Sequence, residues 1–184
     1  MRQLMAIRRI LDIEIPADLA ILRGNCTPVA MTKPTLETLV ADMIETMDSV
    51  DGVGLAAPQV GITQRLVVIR IPGHHEKRAD GNVVEIEPEQ LYVMLDPVIT
   101  QHGESTITGS EGCLSLPGRY APVKRFNWVT CEYRDLKGRN LRLRRATGLL
   151  ARAVQHEIDH LNGVLFIDHV TDPSSIEDMR DTRR

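Results

Sequence analysis

Apolar positions along the chain repeat with two different periods, and the switches between them divide it into elements. Over residues 34–52, "PTLETLVADMIETMDSVDG", Leu36, Leu39, Val40, Met43, Ile44 and Met47 follow helical spacing. Pro34 with Thr35 opens this first helix and Gly52 closes it. The runs "QRLVVIRI" (64–71) and "LYVMLDPVIT" (91–100) are rich in β-branched residues and bounded by Gly or Pro, as strands are. "NWVTCEYRDLKGRNLRLRR" (127–145) alternates on both sides of Lys137-Gly138, which predicts a hairpin. Between the first two strands, "PGHHEKRADGNVVEIEPEQ" (72–90) is polar and turn-rich, an exposed excursion and not a second domain. The helical period returns near Gly148 and runs to about Leu161, where Asn162-Gly163 forms a left-handed cap. Leu149, Leu150, Ala153, Val154 and Leu161 are the positions it offers for burial.

Composition narrows the class. A chain of 184 residues with 42% apolar content and a formal charge of −3 suits one domain, residues 1–184, with a core of its own. Neither a basic surface nor an acidic tail dominates, so small or peptide substrates are expected ahead of nucleic acid. No apolar run approaches the roughly 18 residues of a membrane span, and "MRQLMAIRRILDIEIPADLA" lacks the apolar centre of a signal peptide. A cytoplasmic protein is therefore expected, and Cys26, Cys113 and Cys131 should be free thiols, open to metal binding or catalysis.

Chemistry concentrates in "TGLLARAVQHEIDHLNG" (147–163). On a helix, His156 and His160 lie about 6 Å apart along the axis and roughly 40° apart around it, so they share a face. Glu157, turned by about 100° from His156, reaches a metal's water without being a ligand. Alone, the pattern is as compatible with a charged amphipathic face as with a hydrolytic centre, because two histidines supply two ligands where a hydrolytic metal takes three from the protein. His74, His75, His102 and His169 have no ligand context. Phe166 stands where one metalloprotease class needs a third histidine, and Glu177, the only downstream glutamate for another, sits in a polar tail. Cys113 is the better candidate, flanked by glycine in an extended or turning segment of "GSEGCLSLPGRYAPVKR" (109–125). A buried inert cysteine is its bland alternative. "GVGLAAPQVG" (52–61) is small enough for close backbone approach to a ligand, or for a tight helix-to-strand connection.

Taken in order, three segments resemble the peptide deformylase family. Its patterns Gly-x-Gly-x-Ala-Ala-x-Gln, Glu-Gly-Cys-x-Ser and Gln-His-Glu-x-Asp-His are met at Gly52, Gly54, Ala56, Ala57 and Gln59, at Glu111, Gly112, Cys113 and Ser115, and at Gln155, His156, Glu157, Asp159 and His160.

The resemblance implies removal of the formyl group from the N-formylmethionine of new polypeptides. It implies one divalent cation per chain on Cys113, His156 and His160, Fe(II) ahead of Zn(II), Ni(II) or Co(II). A thiolate suits several of these cations. Glu157 is then the general base and acid, with the Gln59 side-chain amide and the Leu114 N–H receiving the charge on the formyl oxygen. Family precedent lays an extended peptide against Val53, Gly54 and Gly112 as an added strand. Leu149 matches the methionine pocket, Arg152 would make its mouth more polar, and either Arg119 or Tyr120 lines that mouth. Arg152 on a solvated face is the alternative. Asp159 is expected to support the site through Arg125. Some bacterial relatives reach the ribosome through a longer C-terminal helix. The short charged tail "TDPSSIEDMRDTRR" thus leaves direct docking open, while nascent formylated chains remain the partner.

The fold expected is α+β, with strands wrapped around a central C-terminal helix that must be buried on one side to hold its ligands rigidly. Two other readings remain: a zinc endopeptidase with no use for Cys113, and a non-enzymatic module with a closed four-ligand site.

Overall fold

The computed structural model describes residues 6–78 and 81–180. Residues 1–5, 79–80 and 181–184, which belong to the N-terminal stretch, the polar excursion and the charged tail, lie outside the described residues. The elements are α1 (Pro16–Leu22), α2 (Lys33–Asp48), β1 (Gly54–Ala56), β2 (Leu66–Ile71), β3 (His74–Lys77), β4 (Val83–Glu87), β5 (Gln90–His102), β6 (Thr106–Cys113), β7 (Leu116–Phe126), β8 (Trp128–Arg134), β9 (Asn140–Thr147), α3 (Gly148–Leu161) and β10 (Glu177–Asp178). A five-stranded sheet runs in the order β1-β2-β5-β8-β9, and a three-stranded one in the order β10-β7-β6.

The fold is the α+β arrangement expected, with both sheets against α3. Strand β2 shows why. Its period of two sends Val67 and Ile69 to the α3 side, with Met94, Val129, Val154, Ile158 and Leu161. Leu66 and Val68 go to the other face, with Leu36, Leu39, Val40, Met43 and Met47 of α2. A strand covered on both faces must be apolar at every position, which is why "LVVI" lacks alternation. The three-stranded sheet closes a third cluster, in which Leu116, Ala121 and Val123 pack on Leu165 and Phe166 just beyond α3.

Most sequence-based elements are present, with informative differences. Helix α1 was not anticipated, because seven residues are too few to display a period. It is held by Pro16 in its first turn and by buried Asp18, which accepts from the Asp12 N–H at 2.9 Å and pairs with Arg9. Helix α2 ends at Asp48, and Asp51, not Gly52, takes the left-handed conformation. The β8–β9 hairpin turns at Gly138 as expected. Strand β5 is longer than the apolar run and irregular at Asp96-Pro97, where proline cannot donate to a ladder. The exposed excursion carries a small hairpin, β3–β4. The cap of α3 is shared, with Asn162 as the last half-helical residue and Gly163 at φ 70°.

Leu149 departs from the expectation of burial: it is 47% exposed, while Ala151, which the spacing did not single out, is buried. Leu161→Ala should therefore cost about 2–5 kcal/mol of stability, since its side chain is fully enclosed. Leu149→Ala should stay within about 0.5 kcal/mol of the parent. Urea denaturation midpoints of the two variants check the contrast.

Candidate active site

The site forms where the free edges of the two sheets approach α3. In the sheet orders, β1 and β6 are both edge strands, and a cleft of about 580 Å3 is lined by residues of β1, β6, the β6–β7 turn and α3. Val53, Gly54, Gln59, Gly112, Cys113, Leu114, Arg119, Tyr120, Leu149, Arg152, His156 and Glu157 all line it. His160 lies behind them and is 1% exposed. The residues that the three motifs and the peptide path single out are thus in or against one cleft, while Cys26 and Cys131 lie in the hydrophobic core.

Three donors converge at its floor. The ligand atoms of Cys113, His156 and His160 all lie within 4.8 Å of one another. The Cys113 Sγ is 3.2 Å from His160 Nε2, and the two imidazoles meet edge to face with centroids 5.0 Å apart. The thiol reaches the helix from the C-terminal end of β6, where the ladder breaks register between Gly112 and Cys113 and the chain turns. Burial holds His160 well below the ordinary histidine range, so it is neutral, the form a ligand requires. His156 is oriented through its other nitrogen, Nδ1, which lies 2.9 Å from Glu111 Oε2. Although burial opposes it, contacts with Cys113 and Glu111 push the protonation of His156 well above its usual range. A thiolate and two imidazoles with one side open to a cleft is the donor set of a catalytic transition-metal site, so these residues fit a divalent cation.

Glu157 and Gln59 flank the donors. Glu157 is 4% exposed, its Oε2 is buried without a hydrogen-bond partner, and burial raises its carboxyl to about 7. It packs so close to β1 that a Cβ at Gly54 would lie 2.2 Å from Oε1, so any side chain there would displace the Glu157 carboxylate. Gln59 sits on the helical turn after β1, is 2% exposed, and accepts from the Ala56 N–H at 2.8 Å. That bond fixes the amide so that Nε2 faces Cys113 Sγ at 3.5 Å and Ser115 Oγ at 3.3 Å.

Glu111 belongs to the second motif, yet its role was not visible in the sequence. Its carboxylate accepts from Arg125 Nε at 2.9 Å and Nη2 at 3.0 Å, and from Arg152 Nη1 at 2.7 Å, besides meeting His156. Burial works against its charge, but the bonds from His156 and Arg125 hold the carboxyl well below the ordinary range. Arg125 also pairs with Asp159 at 2.5 Å, as anticipated, and His169 Nε2 lies 2.8 Å from the same Asp159 oxygen. Gln155 clamps the helix to β7, accepting from Phe126 N–H at 3.0 Å and donating to Phe126 O at 3.1 Å.

Other candidates are placed differently from their simplest reading. Arg152 is not on a solvated face: its side chain is 18% exposed and its guanidinium turns to Glu111 and backbone carbonyls. Arg119 and Tyr120 both line the mouth, but Arg119 is tied to Glu14 and Asp178. Glu177 pairs with Tyr120 in β10, away from the donors. Val50, exposed at the cleft rim, was missed because it lies in an irregular turn with no periodic signal.

A family model for polypeptide deformylase matches residues 7–175. The peptide deformylase of Roseiflexus sp. is 56% identical over 174 residues, covering 95% of this chain and 94% of its own. That of Chloroflexus aurantiacus is 50% identical over 179 residues, covering 97% and 95%. Among solved structures, a peptide deformylase from Legionella pneumophila superposes with a TM-score of 0.75 at 38% identity, over 92% of this chain and 89% of that one. The Met-Ala-Ser-bound class I type b enzyme from Acinetobacter baumannii gives 0.75 at 30% identity, over 91% and 100%.

The depressed carboxyl of Glu111 makes a stability prediction. A carboxylate whose folded pKa lies below its unfolded value of about 4.3 stabilises the fold above that pH, and the contribution is lost as pH falls through the folded value. Glu111→Gln should therefore be much less stable than the parent at pH 7, by about 3–5 kcal/mol, since buried arginines lose their counter-charge. The gap should narrow steadily below about pH 4. Urea midpoints taken with chelator present, so that metal release does not contribute, should show this; a gap constant with pH would refute it.

Proposed function

The chain belongs to the polypeptide deformylase family, a metal-dependent hydrolase that removes the formyl group from N-formylmethionyl peptides, and we propose how its own residues do so. The observation that carries the reading is the convergence of Cys113, His156 and His160 within 4.8 Å, at the floor of a cleft that Gln59 and Glu157 also line.

Cys113, His156 and His160 would hold one divalent cation. Fe(II) comes first, with Zn(II), Ni(II) or Co(II) able to take its place, because one soft thiolate with two imidazoles suits all four. When bound, the cation supplies Lewis acidity, enough to lower the pKa of a water from about 15.7 to about 7.

The peptide lies extended between the free edges of β1 and β6, adding a strand through the backbone near Val53, Gly54 and Gly112. Two edge strands facing one cleft support this, as does the Met-Ala-Ser peptide bound to the Acinetobacter baumannii relative. The methionine side chain meets Leu149, whose exposure in the cleft leaves it available, and Tyr120 at the mouth. Arg152 also lines the cleft, but its guanidinium turns away from the peptide path to Glu111 and the Ile107 carbonyl.

Glu157 takes the proton of the attacking water and returns it to the departing amine, releasing formate and a free methionyl terminus. A carboxyl raised by burial to about 7 can both accept and give a proton near neutral pH. Gln59 Nε2 and the Leu114 N–H receive the charge on the formyl oxygen. The Gln59 amide is already oriented by Ala56 and needs no reorganisation.

Among the described residues no helix is long and apolar enough to cross a membrane. We place the protein in the cytoplasm, acting on nascent chains near the ribosome. Within the tail, Glu177 and Asp178 pair with β7.

Cys113→Ala should lose most bound metal and nearly all activity, measured as metal content and formate release in one anaerobic sample. Full retention of both would favour an endopeptidase that uses only the histidine pair. Glu157→Ala should keep its metal and lose turnover, whereas Gln59→Leu should lower kcat by roughly 100- to 1,000-fold with little change in KM. A loss carried mainly in KM would make Gln59 a ground-state peptide contact.

A further inference from the structure

We propose that Arg152 is a positioning residue of the metal centre, acting through Glu111 on His156, and that Gly109 is the space reserved for it. This rests on the reading of Cys113, His156 and His160 as ligands.

Arg152 lies one helical turn before His156 and lines the cleft, a place that would suit an apolar contact to methionine. Its donors are instead spent inward. Nη1 reaches Glu111 Oε1 at 2.7 Å and Val123 O at 3.0 Å, and Nη2 reaches Ile107 O at 2.9 Å. The guanidinium therefore pins α3 to both β6 and β7 while it touches the carboxylate.

Glu111 offers about four acceptor positions. The Arg125 fork takes one on each oxygen, and His156 Nδ1 takes a second on Oε2. Arg152 takes the remaining one on Oε1. Without Arg152 the carboxylate loses a charged partner on the side away from His156, and the balance that fixes its plane is gone. Because the His156–Glu111 bond sets the imidazole's orientation, that displacement passes to the ligand.

Gly109 on β6 is coupled to this arrangement. A Cβ there would lie 2.8 Å from Arg152 Nη2 and 3.0 Å from Cζ, so even alanine must push the guanidinium aside. The nearest atoms all belong to Arg152, hence the glycine is needed only while the arginine is present.

The test loads the full chain with Zn2+ and follows its transfer to a chromophoric chelator. kcat and KM on a formyl-Met peptide and the denaturation midpoint are measured on the same samples. Arg152→Leu should release zinc about 10- to 100-fold more readily, the range seen when a group supporting a ligand is removed. Its KM should stay within about twofold of the parent. Arg152→Lys should restore part of the retention, since one ammonium can meet Glu111 but not the carbonyls. Gly109→Ala should weaken zinc retention in the same direction. The double variant should be no worse than Arg152→Leu alone, because nothing is left for the methyl to displace.

Parental zinc retention in Arg152→Leu with a raised KM would overturn the proposal and make Arg152 a wall of the peptide site. Additive losses in the double variant would break the coupling to Gly109. If Arg152→Leu does not fold, Gly109→Ala decides, with parental retention counting against the proposal. Zinc held undiminished by Cys113→Ala would mean that the ligand reading itself has failed, which none of the Arg152 or Gly109 results can mimic.

Discussion

One buried carboxylate, that of Glu111, joins the three elements on which the site stands. It sits at 5% exposure on β6 and meets Arg125 of β7 together with Arg152 and His156 of α3. An ionised group so enclosed is tolerated only when its lone pairs are fully occupied, since the desolvation penalty is several kcal/mol per ion. Here both oxygens are doubly partnered, and the helix can dock in only the one rotation and height that achieves this. Such a network contributes little net stability against an apolar alternative, but it makes wrong dockings expensive.

The same docking sets the chemistry of the residues beside it. Burying α3 against the five-stranded sheet keeps His160 neutral and lifts Glu157 towards neutrality, so one desolvation suits the first to its proposed role as ligand and the second to its proposed role as proton carrier. Gln155 supports the arrangement from the motif itself. Its side-chain amide closes on the Phe126 backbone, satisfying a strand end and fixing the helix in register with β7. A motif position that looks catalytic by proximity to His156 thus serves to hold the helix.

Legibility in the sequence followed the range of the interaction. The period of α2, the β-branched run of β2, the hairpin at Gly138 and the shared face of His156 and His160 are set by residues a few places apart, and all were readable from the local sequence. The third candidate ligand was different. Cys113 stood out by its glycine-flanked setting, and only the ordered match of three motifs distinguished it from an inert thiol. Helix α1 and the pairing of β10 with β7 were invisible because each is too short to show a period, and β10 is held by a strand far away in the chain.

By itself, then, the sequence determined the types of element, the composition of the candidate metal-binding set and the family chemistry, because these reside in local periods and in fixed motif spacings. Tertiary structure decided which side chains face one another across long separations. Cys113 meets His160 over 47 positions, Gln59 meets Cys113 over 54, and Glu111 meets His156 over 45. It also decided that Leu149 stays exposed in the cleft while Arg152, three residues on, turns inward. No periodicity can show that, because the direction of a long side chain at a helix margin is chosen by the partners the other elements bring to it.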